Sequence, residues 1–199
     1  MSNEVYTIVE WIAAAAGLIN VYLLTRQSIW SWPAGLLTVL LYAFVFFHNH
    51  LYSDVVLHSI YVLLNIYGWY KWAGKTDSGP ENLFVSKLTG NQIIALGAII
   101  VPGFLIWGYL IGKNTTAVYV YPDAFVLVTS LCAQYLLAVK KLENWILWIL
   151  VDIVAIVIYF LKGLYVTSGL YAIYLLICIS GYIEWNKSLH AVHSGKPIL

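Results

Sequence analysis

NWILWILVDIVAIVIYF, residues 144 to 160, is an unbroken apolar run with one carboxylate, Asp152, at its middle. Crossing the hydrocarbon core of a bilayer takes about 20 helical residues. No water is present at that depth, so every backbone N–H and C=O must pair within the segment, and such a run folds as a helix. On a helix Trp145, Trp148, Asp152 and Tyr159 recur at i, i+3, i+7 and i+14, which lines up two indoles, an acid and a phenol along one stripe. An ionised side chain at mid-membrane costs about 2.5 kcal/mol or more, so it faces protein or a wet cavity and marks a functional site by default. The plainer reading is a carboxyl that hydrogen-bonds a neighbouring helix and serves packing alone.

The rest of the chain shares that character. Of its 199 residues 62% are hydrophobic and 10% charged, and the mean hydropathy is +0.83, which excludes an ordinary soluble domain. A transmembrane barrel would show shorter, alternating segments. The fold class is therefore all-α, a polytopic membrane protein with apolar segments at residues 5–25, 29–48, 52–72, 92–111, 123–139, 144–162 and 166–185. Glu4 precedes the first segment and Arg26 follows it, the reverse of a signal peptide, so that helix is expected to be retained. The fourth carries Pro102 and Gly103 and is expected to kink or unwind there. Residues 73–91, with Asp77, Glu81 and Asn82, form the only long polar connection, expected to be exposed and mobile. The tail beyond residue 185 is expected to be polar.

Several function classes fall away. Ten dispersed basic residues and a net charge of +1 imply no nucleic-acid partner. Cys132 and Cys178 lie in apolar segments without metal-ligand spacing and read as small packing residues. His48 and His50 share one turn and His190 and His193 lie near the C-terminus, without an acid cluster to complete a metal site. There is no nucleophile elbow, phosphate-binding glycine loop or pair of intramembrane aspartates, so neither an enzyme, an ATP-driven engine nor a cofactor is expected.

Aligning the chain with itself at an offset of 113 residues pairs Tyr22 with Tyr135, Trp32 with Trp145, Phe47 with Phe160, Gly68 with Gly181 and Trp72 with Trp185. Helices one to three thus correspond to helices five to seven, a parallel 3+1+3 repeat. The expected division is residues 1–72 for the first repeat, 73–121 for a cytoplasmic loop and linker helix, and 122–199 for the second repeat with its tail. Parallel repeats are a transporter plan in which the ligand binds at mid-membrane depth between repeats. Eight basic residues fall on one side of the seven crossings and two on the other, placing the N-terminus outside and the C-terminus in the cytoplasm.

The repeats differ where it matters, because Val39 stands opposite Asp152 and Gly35 opposite Trp148. Polar groups to meet the acid are Asn65, four residues after Tyr61, and Ser130 and Gln134, which share one face of helix five. For each, an interhelical hydrogen bond of about 0.6 kcal/mol is the competing reading. Aromatic faces beside one carboxylate suit a flat organic cation better than a sugar, since indole and phenol quadrupoles attract positive charge. The competing reading is that Trp145 and Trp148 only anchor the membrane interface, and Trp148, the deeper, is the stronger candidate for a ligand contact.

The W-x2-W-x3-D arrangement of Trp145, Trp148 and Asp152 resembles the W-x2-W-x3-N/D signature of the Pnu vitamin transporters. NIYGWYKW at residues 65–72, RQSIWSWPAGL in helix two, PDA at residues 122–124 and KGLYVTS at residues 162–168 extend the likeness over most of the chain. The resemblance implies a bacterial inner-membrane protein with the 3+1+3 layout of the SWEET sugar transporters. It implies facilitated diffusion of a vitamin precursor, trapped by a cytoplasmic kinase that makes no stable contact. The family's cargoes include nicotinamide riboside and thiamine, both flat cations, and riboflavin, which is neutral. RQSIWSWP is closer to the thiamine-type members. A SWEET-like sugar uniporter, a non-transporting membrane scaffold and an intramembrane enzyme stand as alternatives. The oligomeric state, a homo-oligomer included, is left open, and membrane lipid is the expected surroundings.

Overall fold

The computed structural model describes residues 3–48, 52–76, 79–80, 83–114 and 119–193. His50, Asp77, Glu81, Asn82 and the tail beyond His193 lie outside the described residues. The apolar segments form seven helices there: α1 Asn3–Thr25, α2 Ser31–His48, α3 Tyr52–Ala73, α4 Gly90–Asn114, α5 Val120–Ala138, α6 Glu143–Leu161 and α7 Tyr165–His193. Of these, α4 to α7 are each long and apolar enough to cross a membrane. A short antiparallel ribbon pairs Lys75–Thr76 with Gly79–Pro80. The chain divides into two compact units, Met1–Leu83 and Phe84–Leu199. Within each, helices consecutive in sequence pack on one another.

Each unit contains one distinctive turn, and the two turns match bond for bond. Gln27 N–H donates to Leu24 O at 3.0 Å and Ser28 N–H to Leu23 O at 3.0 Å, closing α1. Closing α5, Lys140 N–H donates to Leu137 O at 3.1 Å and Lys141 N–H to Leu136 O at 2.9 Å. Gln27 and Lys140 take left-handed φ values of 52° and 50°, the helix stop usually assigned to glycine. The side chain that opens the next helix then folds back: Ser31 Oγ donates to Ser28 O at 2.7 Å, and Asn144 Nδ2 to Lys141 O at 2.6 Å.

The same correspondence governs packing. In the first unit the Trp32 ring meets Trp72 edge to face at 5.2 Å and 85°, and it presses on Gly68 so closely that a Cβ there would overlap the indole. In the second, Trp145 meets Trp185 at 5.5 Å and 88°, and a Cβ on Gly181 would lie 2.6 Å from the indole. Only glycine admits an indole at that separation.

Three expectations need correction. The connection before α4 is pinned at its second half: Ser86 N–H donates to Lys140 O at 3.0 Å, Leu142 N–H to Ser86 O at 2.9 Å, and Leu88 N–H to Glu143 Oε2 at 3.0 Å, with Val85 buried. Backbone hydrogen bonds do this irrespective of side-chain polarity. Secondly, α4 continues as helix through Pro102 without unwinding, because in lipid a break would leave further N–H and C=O groups unpaired. A reciprocal cap starts it, with Thr89 N–H donating to Gln92 Oε1 at 2.9 Å and Gln92 N–H to Thr89 Oγ1 at 3.4 Å. Finally, α7 continues as helix to His193, since Trp185 and Leu189, one turn apart, both bury.

Candidate functional site

On α6 the buried residues are Asn144, Trp145, Leu147, Val151, Asp152, Ala155 and Ile158, spaced at three and four, so one face turns inward. Ile146, Leu150, Ile153, Val157 and Phe160 occupy the opposite, exposed face. The aromatic and acidic stripe is divided between two neighbours. Trp145, 1% exposed, looks to α7 through Trp185 and Gly181. Asp152, 3% exposed, also looks to α7, where the Cys178 thiol hydrogen-bonds its carboxyl. Trp148 is half-buried and packs instead on the apolar cluster of Ile100, Ala133, Leu136 and Leu147, which joins α4, α5 and α6.

Among the described residues Asp152 Oδ2 has no hydrogen-bond partner although it is buried, and neither do Trp145 Nε1, Asn144 Oδ1 and Thr129 Oγ1. Buried polar atoms are paired as a rule, because leaving one unpaired forfeits its hydration. The second unit therefore holds several unsatisfied groups, one of them a carboxylate oxygen that can accept from a cation or an N–H.

Ser130 and Gln134 are buried on α5, and Ser130 Oγ donates to Leu127 O at 3.0 Å. Tyr159 lies two turns beyond Asp152, stacked on Tyr171 at 5.3 Å and 19°. Asn65 belongs to the first unit, where Nδ2 donates to Tyr61 O at 2.8 Å, and its Oδ1 lies 2.5 Å from where a Cβ on Gly35 would stand. Tyr61 meets His58 edge to face at 6.1 Å. Cys178 reads from sequence as packing, yet it holds the acid. The 113-residue offset pairs it with Asn65, and that pairing is the available signal for a polar role. The same offset pairs Asn144 with Ser31, whereas Thr129 falls opposite Ala16 and gives no such signal.

Four helices long and apolar enough to cross a membrane, one of them with a buried acid, define the class: an integral membrane protein. Its sequence matches the nicotinamide mononucleotide transporter family over residues 7–187, and the chain belongs to that family, the Pnu vitamin transporters its motifs resemble. It is similar to the nicotinamide riboside transporter PnuC of Escherichia coli (strain K12), 27% identical over 90% of this chain and 85% of that protein. The riboflavin/roseoflavin transporter RibM of Streptomyces davaonensis is 28% identical over 96% of this chain and 89% of its own length. Among solved structures, the crystal structure of the vitamin B3 transporter PnuC superposes with a TM-score of 0.73 at 26% identity, covering 92% of this chain and 83% of that one. The protein is a membrane transporter.

Proposed function

We propose that the chain carries a flat organic cation, nicotinamide riboside or thiamine, across the bacterial inner membrane by facilitated diffusion, and that phosphorylation inside the cell traps the cargo. One observation carries this reading: the buried Asp152 carboxyl, held by the Cys178 thiol, keeps Oδ2 without a partner on a helix that also bears Trp148. A carboxylate oxygen in that position suits a counter-ion, and an indole suits the face of a cationic ring. The name of the PnuC relative favours nicotinamide riboside, whose pyridinium is flat and charged. The reading takes Trp145, Ser130, Gln134 and Tyr159 as further cargo contacts in the second unit.

The matched turns and the two Trp–Gly–Trp clusters support a parallel 3+1+3 repeat with α4 as the linker. The distribution of basic residues supports an N-terminus outside and a C-terminus in the cytoplasm. Riboflavin is the second reading, favoured by the RibM relative aligned over 96% of this chain. In that case Oδ2 accepts from an N–H or O–H of a neutral cargo.

Calorimetry on the purified protein with nicotinamide riboside, thiamine, riboflavin and a neutral sugar separates these readings. Saturable binding of one of the two cations is expected. Binding of the sugar alone overturns the proposal in favour of a sugar uniporter, and binding of none of the four overturns it in favour of another cargo.

A further inference from the structure

At the end of α6 opposite Trp145, the Lys162 ammonium is enclosed by an acid and two phenols. Nζ lies 3.1 Å from Asp123 Oδ1 and 3.0 Å from Oδ2, 5.9 Å from the centre of the Tyr119 ring and 5.7 Å from that of Tyr159. One carboxylate and two aromatic faces around a single positive charge is the composition of a receptor for an organic cation. Here a side chain of the protein fills it.

The elements hold this arrangement firmly while leaving it open. Gly163, with φ of 75°, ends α6, and Leu164 N–H donates to Tyr159 O at 2.8 Å, fixing Lys162 and Tyr159 on one terminal turn. Asp123 sits in the first turn of α5, where a negative charge meets the helix dipole favourably. The stack of Tyr159 on Tyr171 continues to Tyr174 at 6.0 Å, which keeps the Tyr159 ring in place. Yet the Lys162 and Asp123 side chains are 33% and 46% exposed. Ion pairs that open to solvent add little to stability, so the pair is displaceable.

Tyr159 also lies seven residues from Asp152 on α6, about 10.5 Å of helix rise, which joins this cluster to the buried acid along one helix. We infer that Asp123, Tyr119 and Tyr159 form a second binding station for a flat organic monocation on its way to Asp152, with Lys162 as a tethered competitor that the cargo must displace. This rests on the proposal of a cationic cargo. The orientation proposed for the chain puts the station on the outer face.

The test is uptake into proteoliposomes of nicotinamide riboside and of its uncharged dihydro form, by wild type and by Lys162→Met, Asp123→Asn and Tyr119→Leu. Removing the competitor is expected to lower KM for the cation about 2- to 5-fold, and removing the acid or a ring to raise it by a similar factor, the size of an exposed cation–π contact. KM for the dihydro form should be unchanged in all three. Lys162→Arg keeps the competing charge and should not lower KM for the cation. Lys162→Met and Asp123→Asn shifting KM in the same direction overturns the station and leaves a helix latch. So does an equal shift for the neutral form. Should Asp123→Asn fail to fold, Tyr119→Leu against Lys162→Met makes the same comparison. Wild-type protein without saturable uptake of the cation brings down the cargo proposal itself, and the station with it.

Discussion

Replacing Gly181 by alanine adds one methyl group to α7 where the Trp145 indole already lies, 2.6 Å from the new carbon. The ring cannot swing aside, because Trp185 meets it edge-on at 5.5 Å and both side chains are buried. Overpacking of this kind costs about 1 to 3 kcal/mol, while alanine in place of a helical glycine returns about 1 kcal/mol. The net expectation is a destabilisation of up to about 2 kcal/mol, or up to about 8 °C in Tm for a chain of this size. Gly169, on the same helix, has nothing within 4 Å of the place its new methyl would occupy, so Gly169→Ala keeps only the helix gain and should raise Tm. Thermal unfolding of the two variants in one detergent, followed by tryptophan fluorescence, compares them directly. Adding Trp145→Phe to Gly181→Ala should recover part of the loss, since a smaller ring yields the space. Gly181→Ala as stable as Gly169→Ala would refute the close packing of α6 on α7 that positions Asp152.

Trp148→Ala should weaken cargo binding by about 1 to 2 kcal/mol, the range for a cation–π contact with partial desolvation; an unchanged Kd in calorimetry would leave Trp148 as a packing residue of the Ile100, Ala133, Leu136 and Leu147 cluster. Lys140 is half-buried in the α5–α6 turn, and burial pushes its pKa down to about 8. The unfolded chain then binds more protons than the folded one between about pH 8 and the usual lysine value, so Tm should rise with pH across that window. Lys140→Gln should remove that slope and raise Tm at neutral pH, and the turn should survive because Gln27 holds the same left-handed conformation. A slope unchanged in the variant would assign it to another group.

The seven helices are legible in the sequence because lipid imposes one rule on every crossing, and runs such as residues 144–160 state it without ambiguity. The intramembrane acid is equally plain. Trp32, Gly68 and Trp72 recur as Trp145, Gly181 and Trp185, but their edge-to-face packing over glycine needs coordinates, since a repeat gives correspondence and not contact. Cys178 misleads because a thiol serves equally as an apolar filler and as a weak donor, and only its neighbour Asp152 decides which. The pinning of Ser86 and Leu88 is hidden for a different reason: it runs through backbone groups and Glu143, which leave no periodic mark on residues 83–89. The full length of α7 does not show because polar residues such as Lys187 and Glu184 end a membrane crossing without ending a helix, and their 3.0 Å ion pair spans the continuing turn.

The central claim is that Asp152 is the counter-ion of a cationic cargo, and Asp152→Asn tests it because the amide keeps shape and hydrogen bonding while deleting the charge. Affinities of wild type and this variant for nicotinamide riboside and for its uncharged dihydro form make a cycle whose coupling term isolates the charge. The account predicts a folded variant that loses affinity for the cation and retains it for the neutral form, giving a coupling of about 1 kcal/mol or more, as for charged hydrogen-bonding pairs. A coupling indistinguishable from zero would contradict it and return Asp152 to packing against Cys178.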